Sequence, residues 1–170
     1  MLRHPALCYA LFLSLLLPAC TVVVRDEVIR IPVTVTAVAE PGVDLASFRS
    51  YRFAPSADGS LAFAQLRSLW AGWLDQRGLA QLPQGGQLLV EFSASLRPGV
   101  GAPDMVAKQV RVLLSRPMAD GSLDLVWSGT AVCQSIRPGL LPEGQVLVRE
   151  LAGEFPFASG KPLDRWAILR

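Results

Sequence analysis

The chain has 170 residues, 51% of them hydrophobic and 18% charged, with a formal net charge of +2. That length and apolar content suit one domain with a real buried core and exclude a chain disordered throughout. So small a charge leaves no electrostatic footprint for nucleic acid, and Gly and Pro, at 14 and 13 residues, fall below the collagen-like range.

The N-terminus reads as an address. Arg3 and His4 form a short positive start, and Ala6 to Leu17 is almost wholly apolar. A charged start, an apolar run of roughly 7–15 residues and a small residue at its end make a secretory signal. Leu17 sits where an ordinary signal peptidase wants a small residue. Leu17-Pro18-Ala19-Cys20 instead resembles the bacterial lipobox, with Pro18 where Ala or Ser is usual. The resemblance implies that residues 1–19 are a lipoprotein signal peptide and that Cys20 becomes the first mature residue. Lipid attachment there, as diacylglycerol plus an N-acyl chain, anchors the protein to a membrane. Thr21, in place of an Asp that favours inner-membrane retention, points to the outer membrane at its periplasmic face, with the inner membrane as the alternative. A competing reading is an uncleaved anchor, because the apolar run extends from Ala6 to Val24, within the roughly 17–25 residues of a spanning helix.

Residues 20–43 read as the lipidated Cys20 and a tether. Val/Thr alternation over Ile29 to Ala37 is compatible with an edge strand or an extended stalk, and Pro32 opposes a central strand. Residues 44–170 read as a single α+β domain. Phe48 to Ala54 is a short strand. Leu66, Leu69, Trp70, Trp73 and Leu74 share one helical face, with Ser60 as N-cap and Gly78 as the residue past the C-terminus. Leu88 to Leu96, Val106 to Leu114 and Leu123 to Cys133 alternate as half-buried strands, the last two joined by an Asp120-Gly121 turn. Gly129 within the third run predicts a bulge or a close approach of another backbone, with room for a Trp of the covering helix as the simpler reason. Glu143 to Phe155 is a helix with Leu147, Val148, Leu151 and Phe155 inward, and Ala158 to Arg170 is a cover with Trp166 packing back. The order β-α-β-β-β-α predicts a two-layer sandwich: an antiparallel sheet of about four strands with two helices on one face.

Several segments resemble the bacterial lipoprotein family known as domain of unknown function 4136. They are Asp44 to Phe53, Gln76-Arg77-Gly78-Leu79, Leu88 to Phe92, Leu125 to Ala131, and Val148-Arg149-Glu150-Leu151 running on to Phe155-Pro156. Phe53-Ala54 stands where that family tends to have a Trp, and Pro156-Phe157 where it has a Pro pair. The resemblance implies a location and a fold, with no catalytic residues to carry over.

Candidate chemistry is sparse. Cleavage before Cys20 removes His4, the only histidine, and Cys8, leaving Cys133 as the one free thiol. Histidine-dependent triads and histidine or multi-cysteine metal sites are then ruled out, as is an internal disulfide. Cys133 ends an apolar alternation and reads as core. Glu150 and Glu154, one helical turn apart, read as a solvated flank. Arg97, Lys108, Arg111, Arg116 and Arg137 were weighed as an anionic-lipid patch on one sheet face, which the near-zero net charge disfavours. The expected function is a non-catalytic, lipid-anchored periplasmic binding or accessory module of the cell envelope. It would need no cofactor and no metal, and it would meet the membrane through its anchor and an envelope protein through its sheet. The alternative is a small-ligand or lipid binder with a pocket between helices and sheet near Trp70, Trp73 and Trp127. A hydrolase using carboxylates or an unaided Ser ranks last.

Overall fold

A computed structural model describes residues 28–169. The signal peptide 1–19, Cys20 and the first part of the tether lie outside the described residues. The strands are β1 (Ile29–Ala39), β2 (Ser50–Phe53), β3 (Ala80–Gln81), β4 (Leu88–Pro98), β5 (Val106–Pro117), β6 (Leu123–Ser135) and β7 (Leu163–Leu169). Two helices, α1 (Leu61–Gln76) and α2 (Glu143–Glu154), cover one face of the sheet they form.

The α+β class and the helix placement agree with expectation, and the strand count does not. The sheet has seven strands, in the order β3-β2-β4-β5-β6-β1-β7, where about four were expected. The expected four are β2, β4, β5 and β6, adjacent in the sheet. The antiparallel expectation fails at β2, which runs parallel to both β3 and β4. The chain leaves β2 through α1 and re-enters beside it, and such a crossover makes the flanking strands parallel.

The largest correction is β1. Ile29–Ala39 falls within the expected tether, yet it is a paired strand between β6 and β7. Its buried positions alternate, with Ile31, Val33, Val35 and Ala37 in the core. Pro32 is tolerated because the ladder to β6 begins one residue later, at Val33, so on that side the strand is still an edge at Pro32. β7 then adds outside β1 and buries Ala167 and Leu169. The next correction concerns Trp166. It pairs across from Pro32 on the uncovered face and is 72% exposed, so it does not pack back.

A bulge resets the phase of β6. Leu114 pairs with Trp127 but Ser115 pairs with Leu125, leaving Val126 as the extra residue. Val126 and Trp127 are therefore both buried, while Leu123 and Leu125, expected to face inward, are exposed. The alternation beyond Trp127 holds as expected through Gly129, Ala131 and Cys133.

Local signals place α1 as expected. The Ser60 side chain accepts a hydrogen bond from the Phe63 N–H at 3.2 Å, and Gly78 has φ +80° just past the helix. Its buried stripe is Phe63, Leu66, Trp70 and Leu74, and Leu69 lies outside it, exposed.

Gly129 makes room for two side chains. A Cβ there would stand 2.4 Å from Cη2 of Trp127 and 2.6 Å from Cδ1 of Leu151. The Trp it accommodates comes from its own strand, two residues back, with Leu151 of α2 above. Gly129→Ala therefore destabilises by about 1–3 kcal/mol through overpacking, read from urea unfolding. Gly153→Ala, on the exposed side of α2 with open space around it, serves as the control and costs nothing. Equal stability of the two variants would contradict this packing.

Candidate functional site

The three tryptophans do not form a pocket. Trp70 projects from α1 and Trp127 from β6, and both are fully buried in the interface of helix and sheet. Their rings stack with centroids 5.9 Å apart and 26° between planes, and Phe155 meets Trp127 edge-on at 5.6 Å. Both indole N–H groups lack a hydrogen-bond partner among the described residues. Leaving each unsatisfied costs about 1–3 kcal/mol. Two buried indoles offset that through area, at roughly 25 cal/mol per Å² over 150–250 Å² each. The pair occupies the region between helix and sheet where the alternative reading places a ligand. Trp73 is half-buried and stands apart, with the Arg77 guanidinium 5.0 Å from its ring centre. Arg77 also donates to the Ala152 carbonyl at 3.1 Å, joining the C-terminal ends of the two helices.

The most distinctive cluster is one that the sequence reading missed. Lys108 lies inward on β5, directly across from Cys133 on β6. Its side chain is fully buried and donates to Glu143 Oε2 at 2.7 Å, and Glu143, the first residue of α2, is buried as well. Ser135 Oγ donates to the other carboxylate oxygen at 2.7 Å and accepts from the Arg137 N–H at 3.0 Å. Burial by itself would raise the Glu143 carboxyl. Hydrogen bonds from Lys108 and Ser135, its own backbone N–H and the lysine charge outweigh that and hold it below its usual 4.5. Burial, and secondarily the Glu143 charge, pushes the neighbouring Cys133 thiol up to about 11, so it is inert at neutral pH. The signal for the pair was present: Lys108 occupies an inward phase of its strand, and a buried lysine needs an acid. With Lys108 buried, the basic residues do not gather as an anionic-lipid patch on one sheet face. Arg111 lies on the uncovered face, Arg116 pairs with Asp124 in the β5–β6 hairpin, and Arg97 and Arg137 lie at the opposite end of the sheet.

The uncovered face is a broad accessible surface. Across it run Thr34, Thr36 and Val38 of β1, Ser128, Thr130 and Val132 of β6, Gln109, Arg111 and Leu113 of β5, and Glu91, Ser93 and Ser95 of β4. No described element packs over these residues, and Leu125, Val38 and Trp166 are apolar islands on it. Where β2 stops short, a cavity of about 380 Å³ opens beside Pro55, Ser56, Glu91, Ser93 and Arg111. No group of three or more His, Cys, Asp or Glu residues that could hold a metal ion is present among the described residues. No described helix is long and apolar enough to cross a membrane.

No protein-family model matches the chain. No curated protein matches it. Among solved structures, the chain is similar to a PDZ domain protein from Parabacteroides distasonis, with TM-score 0.54 and 12% identity over 81% of this chain. The chain spans 39% of that protein, and the likeness shows a shared fold alone. It is also similar to PelC from Paraburkholderia phytofirmans, a dodecamer (TM-score 0.48, 17% identity, 74% of this chain and 98% of that one). A minor lipoprotein from Acinetobacter baumannii matches at TM-score 0.36 and 11% identity, over 63% of this chain and 88% of that one. At those two scores the likeness supports no inference here.

The buried pair generates a prediction with a defined sign. Lys108→Met leaves Glu143 buried without its cation and destabilises by about 3–5 kcal/mol, whereas Lys108→Met with Glu143→Met recovers most of the loss. A double variant as unstable as the single one would contradict the pairing. The folded carboxyl titrates below 4.5. Its contribution is therefore complete above that pH and is lost as the pH falls through the depressed folded value. The stability gap between the wild type and Glu143→Gln, measured by urea unfolding, accordingly narrows in acid.

Proposed function

We propose that the chain is a non-catalytic, lipid-anchored accessory module of the bacterial envelope, of the lipoprotein kind that its segments between Asp44 and Pro156 resemble. It is held at the periplasmic face of the outer membrane by acyl chains on Cys20 and presents its uncovered sheet face to an envelope protein. The observation that carries this reading is the asymmetry of the sandwich: two helices cover one face, and the other is bare across β4, β5, β6 and β1. The bare face offers Thr and Ser hydroxyls between small apolar islands. Such a surface suits a flat, hydrogen-bonding protein partner better than a small molecule, which seeks a concave and mostly apolar site. The absence of histidine from the chain after His4 and the burial of its one remaining thiol support a binding role over catalysis.

Photo-crosslinking in living cells tests the assignment. A photoreactive residue at Thr36 or Thr130, cross-strand neighbours on the bare face, gives one discrete adduct. The same residue at Gln65, exposed on α1, gives none. Val38→Glu on the bare face abolishes the Thr130 adduct without changing thermal stability. Equal adducts from Gln65 and Thr130, or an adduct indifferent to Val38→Glu, would overturn the proposal.

A further inference from the structure

The two ends of the sheet differ in a way that the sandwich itself does not require. β1 begins at Ile29, paired with Leu169 at the end of β7. The β4–β5 loop and the segment leaving β6 lie at the same end, because Pro98, Val106 and Ser135 share one register row. The N-terminal chain therefore enters the fold where these two loops project.

Both loops carry an apolar residue at their tips. Val100 is 79% exposed and Ile136 is 67% exposed, beside exposed Val28 and Ile29. Hydrogen bonds shape both loops. The Val100 N–H donates to the Gln134 side chain at 3.1 Å, and Gly99 donates to the Met105 carbonyl at 2.8 Å. A Cβ on Gly99 would stand 2.7 Å from Met105, so the loop is closed tightly on itself. Ser135 Oγ, fixed by Glu143, accepts from Arg137 N and sets the chain on either side of Ile136. Arg30, Arg97 and Arg137 lie at this same end, all exposed, and Asp104 is the acid on the β4–β5 loop. The opposite end carries Glu40, Asp120 and Asp124 about the β5–β6 hairpin, with Arg116 paired to Asp124.

We infer that this end is a bilayer-docking surface, in which Val100 and Ile136 enter the headgroup layer and Arg30, Arg97 and Arg137 meet lipid phosphates. Two observations select a bilayer as the occupant. Exposed aliphatic tips with arginines at the same end match the apolar and anionic chemistry of a lipid surface. In addition, Cys20 lies eight residues before Val28. Fully extended, that span reaches at most about 29 Å, so an anchor at Cys20 keeps this end, and not the hairpin end, near the membrane. The inference rests on the lipid-anchor reading and deepens it by fixing an orientation. The bare face then stands roughly upright on the membrane, open to a partner from the side.

The test uses the full chain extracted from membranes and reconstituted in vesicles of phosphatidylethanolamine and phosphatidylglycerol. A fluorophore is attached at Ile136→Cys or, as control, at Met118→Cys in the hairpin at the opposite end. Buried Cys133 stays unlabelled. Lipids carrying a spin-label quencher near the headgroup quench the label at 136 several-fold more strongly than the label at 118. Arg97→Glu with Arg137→Glu lowers quenching at 136 in these vesicles. Quenching at 136 no stronger than at 118 would overturn the inference. The anchor is read separately, by whether Cys20→Ser releases the protein from membranes. Retention in that variant would count against acyl chains as the sole anchor while leaving the quenching result to stand or fall by itself.

Discussion

One buried ion pair fixes how the two layers of this protein meet. Lys108 projects from β5, near the centre of the sheet, and Glu143 opens α2, so their 2.7 Å contact joins helix to sheet with almost no water present. Both charges are desolvated, and a hydrophobic replacement of similar volume would serve stability as well or better. What the pair supplies is position. A shift of α2 by one turn would strand a bare carboxylate and a bare ammonium in the core. The same carboxylate holds Ser135, and Ser135 holds Arg137, so the helix start, the end of β6 and the loop after it form one hydrogen-bonded unit.

The rest of the covered face follows from that placement. With α2 seated, Leu151 lies over Gly129, and the indole of Trp127 is pressed flat between the strand and Trp70 of α1. Arg77 ties the far ends of the helices, and Glu154 pairs with Arg165 of β7. The interior is thereby full, which turns attention from a pocket between the layers to surfaces outside them. Among these are the bare sheet face and the end where the N-terminal chain enters.

Much of this was legible in the residues. Alternation found β4, β5 and β6, the Asp120-Gly121 turn joined two of them, and Ser60 and Gly78 bounded α1. The failures have physical causes. Pro32 argued against a central strand, yet it sits one residue outside the ladder it would have broken. The bulge at Val126 exchanged the faces of Leu123 and Leu125, and a periodicity of two cannot anticipate an inserted residue. Trp166 looked like a core residue by type, but its phase on β7 turns it outward. Helical spacing marked Trp70 and Trp73 as core residues, which holds for Trp70 and only partly for Trp73, and the stacking of Trp70 on Trp127 was not foreseen because size and spacing do not reveal which rings meet. An open sheet face opposite the helices was expected from the two-layer order, but β1 and β7 enlarge it beyond the expected four strands.

The central claim is that the domain is tied to a membrane through Cys20 and works by contact. The most direct measurement is the intact mass of the protein recovered from bacterial membranes. The expected species begins at Cys20 and is heavier than its amino acids by a diacylglycerol and an N-linked acyl chain. A mass that retains residues 1–19, or one that starts at Cys20 with no acyl addition, would contradict it.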